Sequence, residues 1–170
     1  MKEMNGLYLR QLSPADGRDI YELLQAIPAE ENGMHNNAMG LPYEEYQDWL
    51  LRCDGHSRGE GLPDWMVPET AYWLYLDGIP IGIARIRHRL NENLEVNSGH
   101  IGYAIAPAYR GRGYGNEFLC LILAECVKLG IEIVQIGANR DNLPSNRMIL
   151  HNGFILYKQT EKKVLYRKTL

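Results

Sequence analysis

Short alternations of apolar and polar residues run along most of the chain, separated by clusters of glycine, proline and asparagine, and they predict a series of strands and helices. The clearest element is a β-hairpin, because Asp77-Gly78 is a strong two-residue turn signal between two apolar strands. The segments 28–40, 53–68 and 91–97 are rich in turn formers, so we predict loops there. The predicted strands are 7–12, 72–76, 79–90, 100–106 and 131–136 with two more in 154–170, and the predicted helices are 13–26, 43–52, 114–129 and 145–152.

The order of these elements predicts the fold class. Strands dominate the first half of the chain, and a strand-helix-strand crossover occupies the second half. This order is typical of an α/β (α+β) fold in which helices cover both faces of a mixed sheet. With 170 residues, of which 45% are hydrophobic, the chain is predicted to form a single domain, 1–170, with one core.

Charge and composition exclude several classes of partner. A net charge of −3 argues against nucleic-acid binding, which needs a clustered basic face, and favours a small-molecule partner. Three cysteines without a Cys-x-x-Cys spacing indicate neither a disulfide framework nor a metal site. The first residues lack the apolar core of a signal peptide and no run is long enough to span a bilayer, so we expect a cytoplasmic protein without a membrane partner.

A glycine-rich loop between a predicted strand and a predicted helix carries the densest chemical signal. Residues 101–115 read IGYAIAPAYRGRGYG, with glycine at 111, 113 and 115. Without Cβ atoms the loop can curl with its amides inward, and the free N–H groups of the following helix favour the same anion, so the loop suits a phosphate. Arg110 and Arg112 add positive charge. The spacing fits neither a Walker A loop nor a dinucleotide-binding loop, and a plain glycine-rich turn is the alternative.

The loop and its surroundings resemble a known family. Arg110-x-x-Gly113-x-Gly115 is similar to the pyrophosphate-binding signature that the GNAT (Gcn5-related N-acetyltransferase) superfamily carries between its fourth strand and third helix. The strand end at 105–107 and the block 139–154 also resemble family segments, so that the resemblance covers about residues 80–156. The run Arg-His-Arg-Leu-Asn at 87–91 resembles a group of predicted bacterial acetyltransferases without an assigned substrate.

The resemblance implies a GNAT fold and a coenzyme site. The expected fold is a mixed, mostly antiparallel central sheet with helices on both faces and a V-shaped splay between the family's fourth and fifth strands. The expected cosubstrate is acetyl-CoA, with its pyrophosphate on the loop and its pantetheine arm along the free edge of the fourth strand, and no metal is expected. The residues implied in coenzyme binding are Tyr103, Ile105, Arg110, Gly111, Arg112, Gly113, Tyr114, Gly115, Asn139 and Asn146.

The implied reaction is transfer of an acetyl group to a primary amine by direct attack in a ternary complex, in which positioning supplies much of the rate. Many family members place a tyrosine four residues before the Gly-Phe pair to protonate the leaving thiolate, but this chain has Ile149 there. The run 141–146 resembles the corresponding segment of the family branch that acetylates protein N-termini. In that branch a serine at this position is a proposed general acid, so Ser145 becomes the candidate acid here. A helix-start residue that bonds a nearby amide is the alternative for Ser145.

The candidate general base is His100, at the start of the predicted fourth strand, because imidazole titrates near neutrality. His88 is the second choice, and a hydrogen-bonded structural histidine is the alternative for both. The stripe of Arg85, Arg87 and Arg89 either binds an anionic substrate or forms a solvated or salt-bridged outer face, and we favour the outer face.

Two other functions stay open at this point. The missing tyrosine favours a non-catalytic acyl-CoA-binding or sensing module, and a structural domain with an ordinary turn is the other alternative. The sequence does not identify the acceptor, which is expected to be an amine on a small molecule or a peptide. It is compatible with a homodimer and does not set the oligomeric state.

Overall fold

The computed structural model describes residues 6–170, in which strands and helices mix along the chain as predicted. The strands are β1 (Leu7–Gln11), β2 (Glu30–Glu31), β3 (Met34–His35), β4 (Glu69–Leu76), β5 (Ile79–Arg87), β6 (Ile101–Ile105), β7 (Ile133–Asn139), β8 (Ile155–Gln159) and β9 (Lys163–Thr169). The helices are α1 (Arg18–Ala26), α2 (Tyr43–Ser57), α3 (Glu92–Asn97), α4 (Gly115–Lys128) and α5 (Leu143–His151), with one 3₁₀ turn at Pro107–Tyr109. None of these helices combines the length and the apolar character that crossing a membrane requires.

The strands form two main antiparallel sheets. The first has the order β1-β4-β5-β6 and the second has the order β7-β9-β8, whereas β2 and β3 pair separately as a small hairpin. The predicted hairpin of β4 and β5 is confirmed. Its turn residues Asp77 and Gly78 have φ angles of 49° and 83°, in the left-handed region that a tight two-residue hairpin turn demands.

Helices cover both faces of the first sheet, and the central strand β4 shows why. Its side chains alternate between the faces, and both sets are buried. Trp73 packs with residues of α1 and α2, including Leu24 and Leu50, in one core cluster. Leu74 packs with residues of α4, including Phe118, in a second cluster on the opposite face. The predicted α/β fold with helices on both faces is therefore confirmed.

The two sheets meet at one end of β6 and β7, at a junction made by His100 and Gln135. The backbone N–H of His100 donates to the carbonyl of Gln135 at 2.8 Å, and the N–H of Gln135 donates to Nδ1 of His100 at 2.9 Å. The side-chain amide of Gln135 donates to the carbonyls of Glu95 and Ser98. Beyond this junction β6 and β7 share no ladder within residues 6–170. The predicted V-shaped splay between these two strands is confirmed.

Helix α1 begins at Arg18 and not at Ser13-Pro14, so its predicted start is wrong. The residues before it form a turn because Asp16 points inward. Its Oδ2 accepts the backbone N–H of Ser13 at 2.8 Å and the indole N–H of Trp73 at 2.7 Å, and its Oδ1 pairs with Arg10 at 2.7 Å. A buried carboxylate that binds the core tryptophan thus replaces the expected helix cap.

Three predicted loops contain more regular structure than expected. The segment 28–40 includes the hairpin of β2 and β3, whose turn residues Asn32 and Gly33 both have positive φ angles. Helix α2 continues through Ser57 instead of ending at residue 52. The segment 92–97 is helix α3, because Oδ1 of Asn91 accepts the N–H of Leu94 at 2.9 Å and caps its first turn.

A substitution at the junction tests how tightly the two sheets are joined. A Cβ on Gly99 would lie 2.4 Å from the carbonyl oxygen of Gln135, and backbone cannot yield as a flexible side chain can. We expect Gly99→Ala to lower the free energy of unfolding by about 3 kcal/mol, measured by urea denaturation. Gly61→Ala is the control, because no atom lies within 4 Å of its added Cβ, and its strained φ alone should cost about 1 kcal/mol. Equal losses in the two variants would contradict a tight junction.

The junction also predicts a pH dependence of stability. Burial, with smaller contributions from the positive charges of Arg87 and Arg167, lowers the pKa of His100 from 6.5 to about 4. The folded protein therefore binds fewer protons than the unfolded chain between these values, and stability falls as the pH drops from 6.5 towards 4. His100→Asn keeps an acceptor for the N–H of Gln135 but does not titrate. We expect a shallower loss of unfolding free energy in this variant over that pH range, and an unchanged slope would assign the dependence to other groups.

Candidate active site

A cleft of about 780 Å³ opens where β6 and β7 diverge. One end is lined by the glycine-rich loop 110–115 and the first turn of α4. The other end is lined by Arg85 and Arg87 of β5, and the β2–β3 hairpin contacts both ends, through Glu31 with Arg110 and through His35 with Arg85. Residues of β6 line the cleft between these ends, so a ligand in it would lie along the strand.

The three glycines of the loop serve two different purposes. Gly111 and Gly113 have φ angles of 73° and 84°, and an added Cβ at either position would meet no atom within 4 Å. These two glycines allow the chain to curl. Gly115 instead allows close packing of α4 on α5, because a Cβ there would lie 2.8 Å from Sδ of Met148.

The N-terminus of α4 opens onto the cleft without a side-chain cap. Tyr114, the residue before the helix, makes no capping hydrogen bond, and Tyr114, Gly115 and Asn116 all line the cleft. The first N–H groups of an α-helix have no partner within the helix, and the helix dipole adds partial positive charge. This end of the cleft can therefore bind an anion such as a pyrophosphate, as the sequence predicts.

The two arginines of the loop are held by contacts within the protein. The Nε of Arg110 donates to the carbonyl of Ile105 at 2.8 Å, and its Nη1 pairs with Glu31 of β2 at 2.5 Å. The guanidinium of Arg112 lies 5.4 Å from the ring centre of Tyr109. Arg110 thus joins the loop to the β2–β3 hairpin as well as adding charge.

The edge of β6 that faces the cleft has no partner strand in the described part of the chain, since β6 ends the first sheet. The N–H of Ala106 donates to Ile81 of β5, so alternate residues direct their backbone groups the other way. Tyr103 and Ile105 therefore present N–H and C=O groups to the cleft. The bond from Arg110 to the Ile105 carbonyl agrees with this direction.

A pair of hydroxyl groups lies in the cleft. The Tyr103 hydroxyl and Oγ of Ser145 are hydrogen-bonded to each other, and both residues line the cleft. The Tyr103 ring packs edge-on against Phe118, with ring centres 5.9 Å apart, and burial raises the pKa of its phenol. The pair has two hydroxyl protons and its internal bond uses one, so one proton remains for a ligand. Ser145 was predictable from the family motif, but its partner Tyr103 lies 42 residues away and no local pattern connects the two.

Ile149, which occupies the position of the family's usual tyrosine, is fully buried in the core cluster with Phe118 and Phe154. It packs the second face of the sheet and has no group to donate. The residue that departs from the family pattern is therefore part of the core, and the hydroxyl groups of Tyr103 and Ser145 lie in the cleft instead.

Asn139 and Asn146, the two asparagines implied in coenzyme binding, do not line the cleft. The amide nitrogen of Asn146 donates to the backbone carbonyls of Asn139 and Asn142 at 2.9 and 2.8 Å, and its oxygen accepts the hydroxyl of Tyr166 at 2.6 Å. These hydrogen bonds connect the start of α5 to the end of β7. The nearby residues that line the cleft are Asn142, Pro144, Ser145, Arg147 and Met148.

The structure places neither candidate base in the cleft. His100 is buried at the junction, with its Nδ1 occupied by Gln135. His88 bonds through Nε2 to the hydroxyl of Thr70 at 2.7 Å, and burial lowers its pKa. Both histidines fit the structural alternative. Two other histidines, His35 and His151, line the cleft.

Arg85 and Arg87 are salt-bridged, as one form of the interpretation expects, but they line the cleft, so an outer face is wrong for these two. Their side chains are only 14% and 25% exposed, and both lie near the single carboxylate of Glu69. Arg89, past the end of β5, is exposed and does not line the cleft. Alternation along the strand indicated which arginines share a face, but not that the β2–β3 hairpin covers that face.

Other cations extend this positive lining across the cleft. The arginine and lysine side chains that line it among residues 6–170 are Arg85, Arg87, Arg110, Arg112, Arg147 and Lys163, whereas Glu31 is its one carboxylate in that part of the chain. No group of three or more histidine, cysteine, aspartate or glutamate side chains in the described residues is arranged to hold a metal ion. The cleft is thus suited to a long anionic ligand.

Comparison with known proteins agrees with this geometry. The family model described as Acetyltransferase (GNAT) domain matches residues 6–155. No curated protein sequence matches the chain.

Solved structures of several acetyltransferases are similar to this fold. The ribosomal L7/L12 alpha-N-protein acetyltransferase RimL, in complex with coenzyme A, has a TM-score of 0.71 and 18% identity, covering 99% of this chain and 96% of that one. The Campylobacter jejuni N-acetyltransferase PseH, in complex with acetyl coenzyme A, has a TM-score of 0.65 and 12% identity, covering 96% and 98%. A GNAT-family acetyltransferase from Streptococcus pneumoniae has a TM-score of 0.63 and 15% identity, covering 96% and 99%.

These similarities extend over nearly the whole of each chain, and the family model spans both the first sheet and the glycine-rich loop. The chain therefore belongs to the GNAT family of acetyl-CoA-dependent acetyltransferases.

Proposed function

We propose that this chain transfers an acetyl group from acetyl-CoA to a primary amine by direct attack within a ternary complex. The observation that carries the proposal is the unpaired edge of β6, which leads from the glycine-rich loop and the uncapped N-terminus of α4 into the cleft. A pyrophosphate on the loop would place the pantetheine arm along this edge, bonded to the backbone like an added strand. The thioester would then reach the middle of the cleft.

The backbone would also assist the reaction. When the amine attacks the thioester, the carbonyl oxygen gains negative charge, and a fixed N–H group at the edge of β6 can stabilise it. The attacking nitrogen then releases its extra proton to solvent, the carbonyl re-forms as the carbon–sulfur bond breaks, and the sulfur leaves as a thiolate. Holding both reactants at contact distance supplies much of the rate, so the protein needs few catalytic side chains.

Tyr103 and Ser145 are the proposed proton donors to the leaving sulfur. A tyrosine phenol is protonated at neutral pH, and burial raises the pKa of Tyr103 further, so the pair holds a proton for the thiolate. This assignment extends the role first given to Ser145 alone. His100 has no part in the proposed proton transfers, because its buried position at the junction separates it from the cleft.

A non-catalytic acyl-CoA-binding module is the alternative. Such a module needs the phosphate loop and the edge of β6 but no proton donor. The hydroxyl pair in the cleft therefore favours an enzyme. Because this pair can donate a proton, the presence of Ile149 in place of the family's usual tyrosine no longer favours a sensor.

The proposed acceptor is an amine on a small molecule or a peptide. RimL, with the same fold, is an alpha-N-protein acetyltransferase of ribosomal L7/L12, which makes a protein N-terminus one class to test. A cytoplasmic location and a homodimer stay predictions.

The loop is tested by a branched side chain at Gly113. With φ at 84°, valine is strongly disfavoured there, so the curled conformation that receives the phosphate should be lost. We expect Gly113→Val to raise the Kd for coenzyme A by roughly 100-fold, or about 2.7 kcal/mol, measured by calorimetry. Gly130→Val is a matched control, because Gly130 has a φ of 77° and open space around it but lies past the other end of α4. Comparable loss of affinity in both variants would contradict the proposed phosphate site.

The hydroxyl pair is tested by Tyr103→Phe and Ser145→Ala. Each change removes one hydroxyl and spares the phosphate loop, so kcat should fall roughly 100-fold while the Kd for coenzyme A stays constant. Because the two groups act as one donor, the double variant should lose little more than either single variant. The rate of free thiol release with a panel of amines measures this. An unchanged kcat in both single variants would remove the pair from the mechanism.

A further inference from the structure

We propose that the acetyl acceptor carries an anionic group, a carboxylate or a phosphate, which Arg85 and Arg87 bind at the end of the cleft remote from the phosphate loop. This inference rests on the proposed amine acetylation and narrows the class of acceptor.

The position of the arginines separates them from the coenzyme phosphates. Arg85 pairs with Gly102 across β5 and β6, three residues along the strand from Ile105, which corresponds to about 10 Å. Arg85, like Ile83 two residues before it, projects to the face of the sheet that carries α1 and α2, whereas Tyr103 projects to the face of α4. A group bound by Arg85 therefore lies beyond the hydroxyl pair, on the opposite face of the sheet, where an acceptor can approach the thioester.

The arginines keep positive charge that the protein does not neutralise. Arg85 and Arg87 share the carboxylate of Glu69, at nitrogen–oxygen distances of 3.9 and 3.6 Å, which are too long for direct hydrogen bonds. Their other contacts are neutral: Arg85 donates to the carbonyl of His35, and Arg87 donates to Gly99 and Ser98. Each guanidinium has five N–H groups, so donors remain for a ligand. The fork of an arginine matches a carboxylate or a phosphate in shape.

The β2–β3 hairpin partly covers this pair of cations. Met34 lies over the strand, since its Sδ would be 3.1 Å from a Cβ on Gly102. The hairpin turn reaches the second sheet, where the ammonium of Lys163 lies 3.3 Å from the Cβ position of Gly33. Lys163 thus adds a third cation to the lining of the cleft, on the side of the second sheet. Removal of water from such a site strengthens its attraction for an anion and its repulsion of a cation.

An anion site at this end of the cleft would distinguish between classes of amine acceptor, which the family fold alone does not do. Polyamines, aminoglycosides and basic peptides carry several positive charges, and this end of the cleft repels them. Amino acids, peptides with an acidic group near the N-terminus and phosphorylated amino sugars each combine an amine with an anion. These acceptors share an anionic group, and the experiments below distinguish a carboxylate from a phosphate.

The first arm measures acetyl transfer to matched pairs of amines. The pairs are an amino acid and its carboxamide, glucosamine 6-phosphate and glucosamine, and an acidic and an amidated peptide, with spermidine as the polycation. We expect at least tenfold higher kcat/KM for the anionic member of the preferred pair, mainly through KM. Arg85→Gln should abolish this preference and Arg85→Lys should retain part of it, while Arg89→Gln, an exposed position outside the cleft, should leave it unchanged.

The second arm measures anion binding without chemistry. The protein is saturated with coenzyme A, which fills the phosphate loop, and is then titrated calorimetrically with glutarate or with inorganic phosphate. A Kd for either anion that is at least tenfold higher in Arg85→Gln than in the unchanged protein supports the site. The Kd for coenzyme A should be the same in both proteins.

The two arms separate failure of this inference from failure of the proposed function. Transfer to neutral amines or spermidine as fast as to anionic amines overturns the anion site and leaves amine acetylation intact. Arginine-dependent anion binding without transfer to any amine in the panel supports the site and counts against amine acetylation. Absence of both the binding and the preference overturns the inference.

Discussion

The structure depends on one junction between two sheets. Two hydrogen bonds between His100 and Gln135 hold β6 and β7 together at one end, and the strands diverge from there. A continuous ladder would have paired the edge of β6 and left no space for a ligand. Because His100 serves the junction as an unprotonated acceptor, the histidine that sequence reasoning assigned to proton transfer instead sets the geometry of the cleft.

The cleft combines backbone chemistry with very few specialised side chains. At one end, two glycines with positive φ and an uncapped helix N-terminus present N–H groups for phosphate binding. In the middle, the edge of β6 offers further backbone groups, and Tyr103 and Ser145 offer a proton. At the far end, Arg85 and Arg87 offer charge under the β2–β3 hairpin. The order of these features along one strand matches the order of phosphate, thioester and acceptor in the proposed complex.

Features encoded by neighbouring residues were predictable from the sequence, and those created by distant contacts were not. The Asp77-Gly78 turn and the glycine-rich loop follow from local backbone requirements, and the family resemblance supplied the splay of the sheet. The contact of His100 with Gln135 joins residues 35 positions apart, and no local pattern reports it. Strand alternation grouped Arg85 with its neighbours correctly, but only the fold shows the hairpin covering them. Asn-Gly at 32–33 was a readable hairpin signal that the sequence analysis did not use.

The concentration of arginine and lysine in the cleft affects how fast ligands arrive. The chain has a net charge of −3, yet the cleft is lined by six cationic side chains and one carboxylate among residues 6–170. The outer surface is therefore more negative than the total suggests. An approaching anion is repelled over most of the surface and attracted at the mouth of the cleft, so diffusional encounter is steered towards productive collisions. Added salt screens this field beyond roughly 8 Å at physiological ionic strength and slows association more than dissociation.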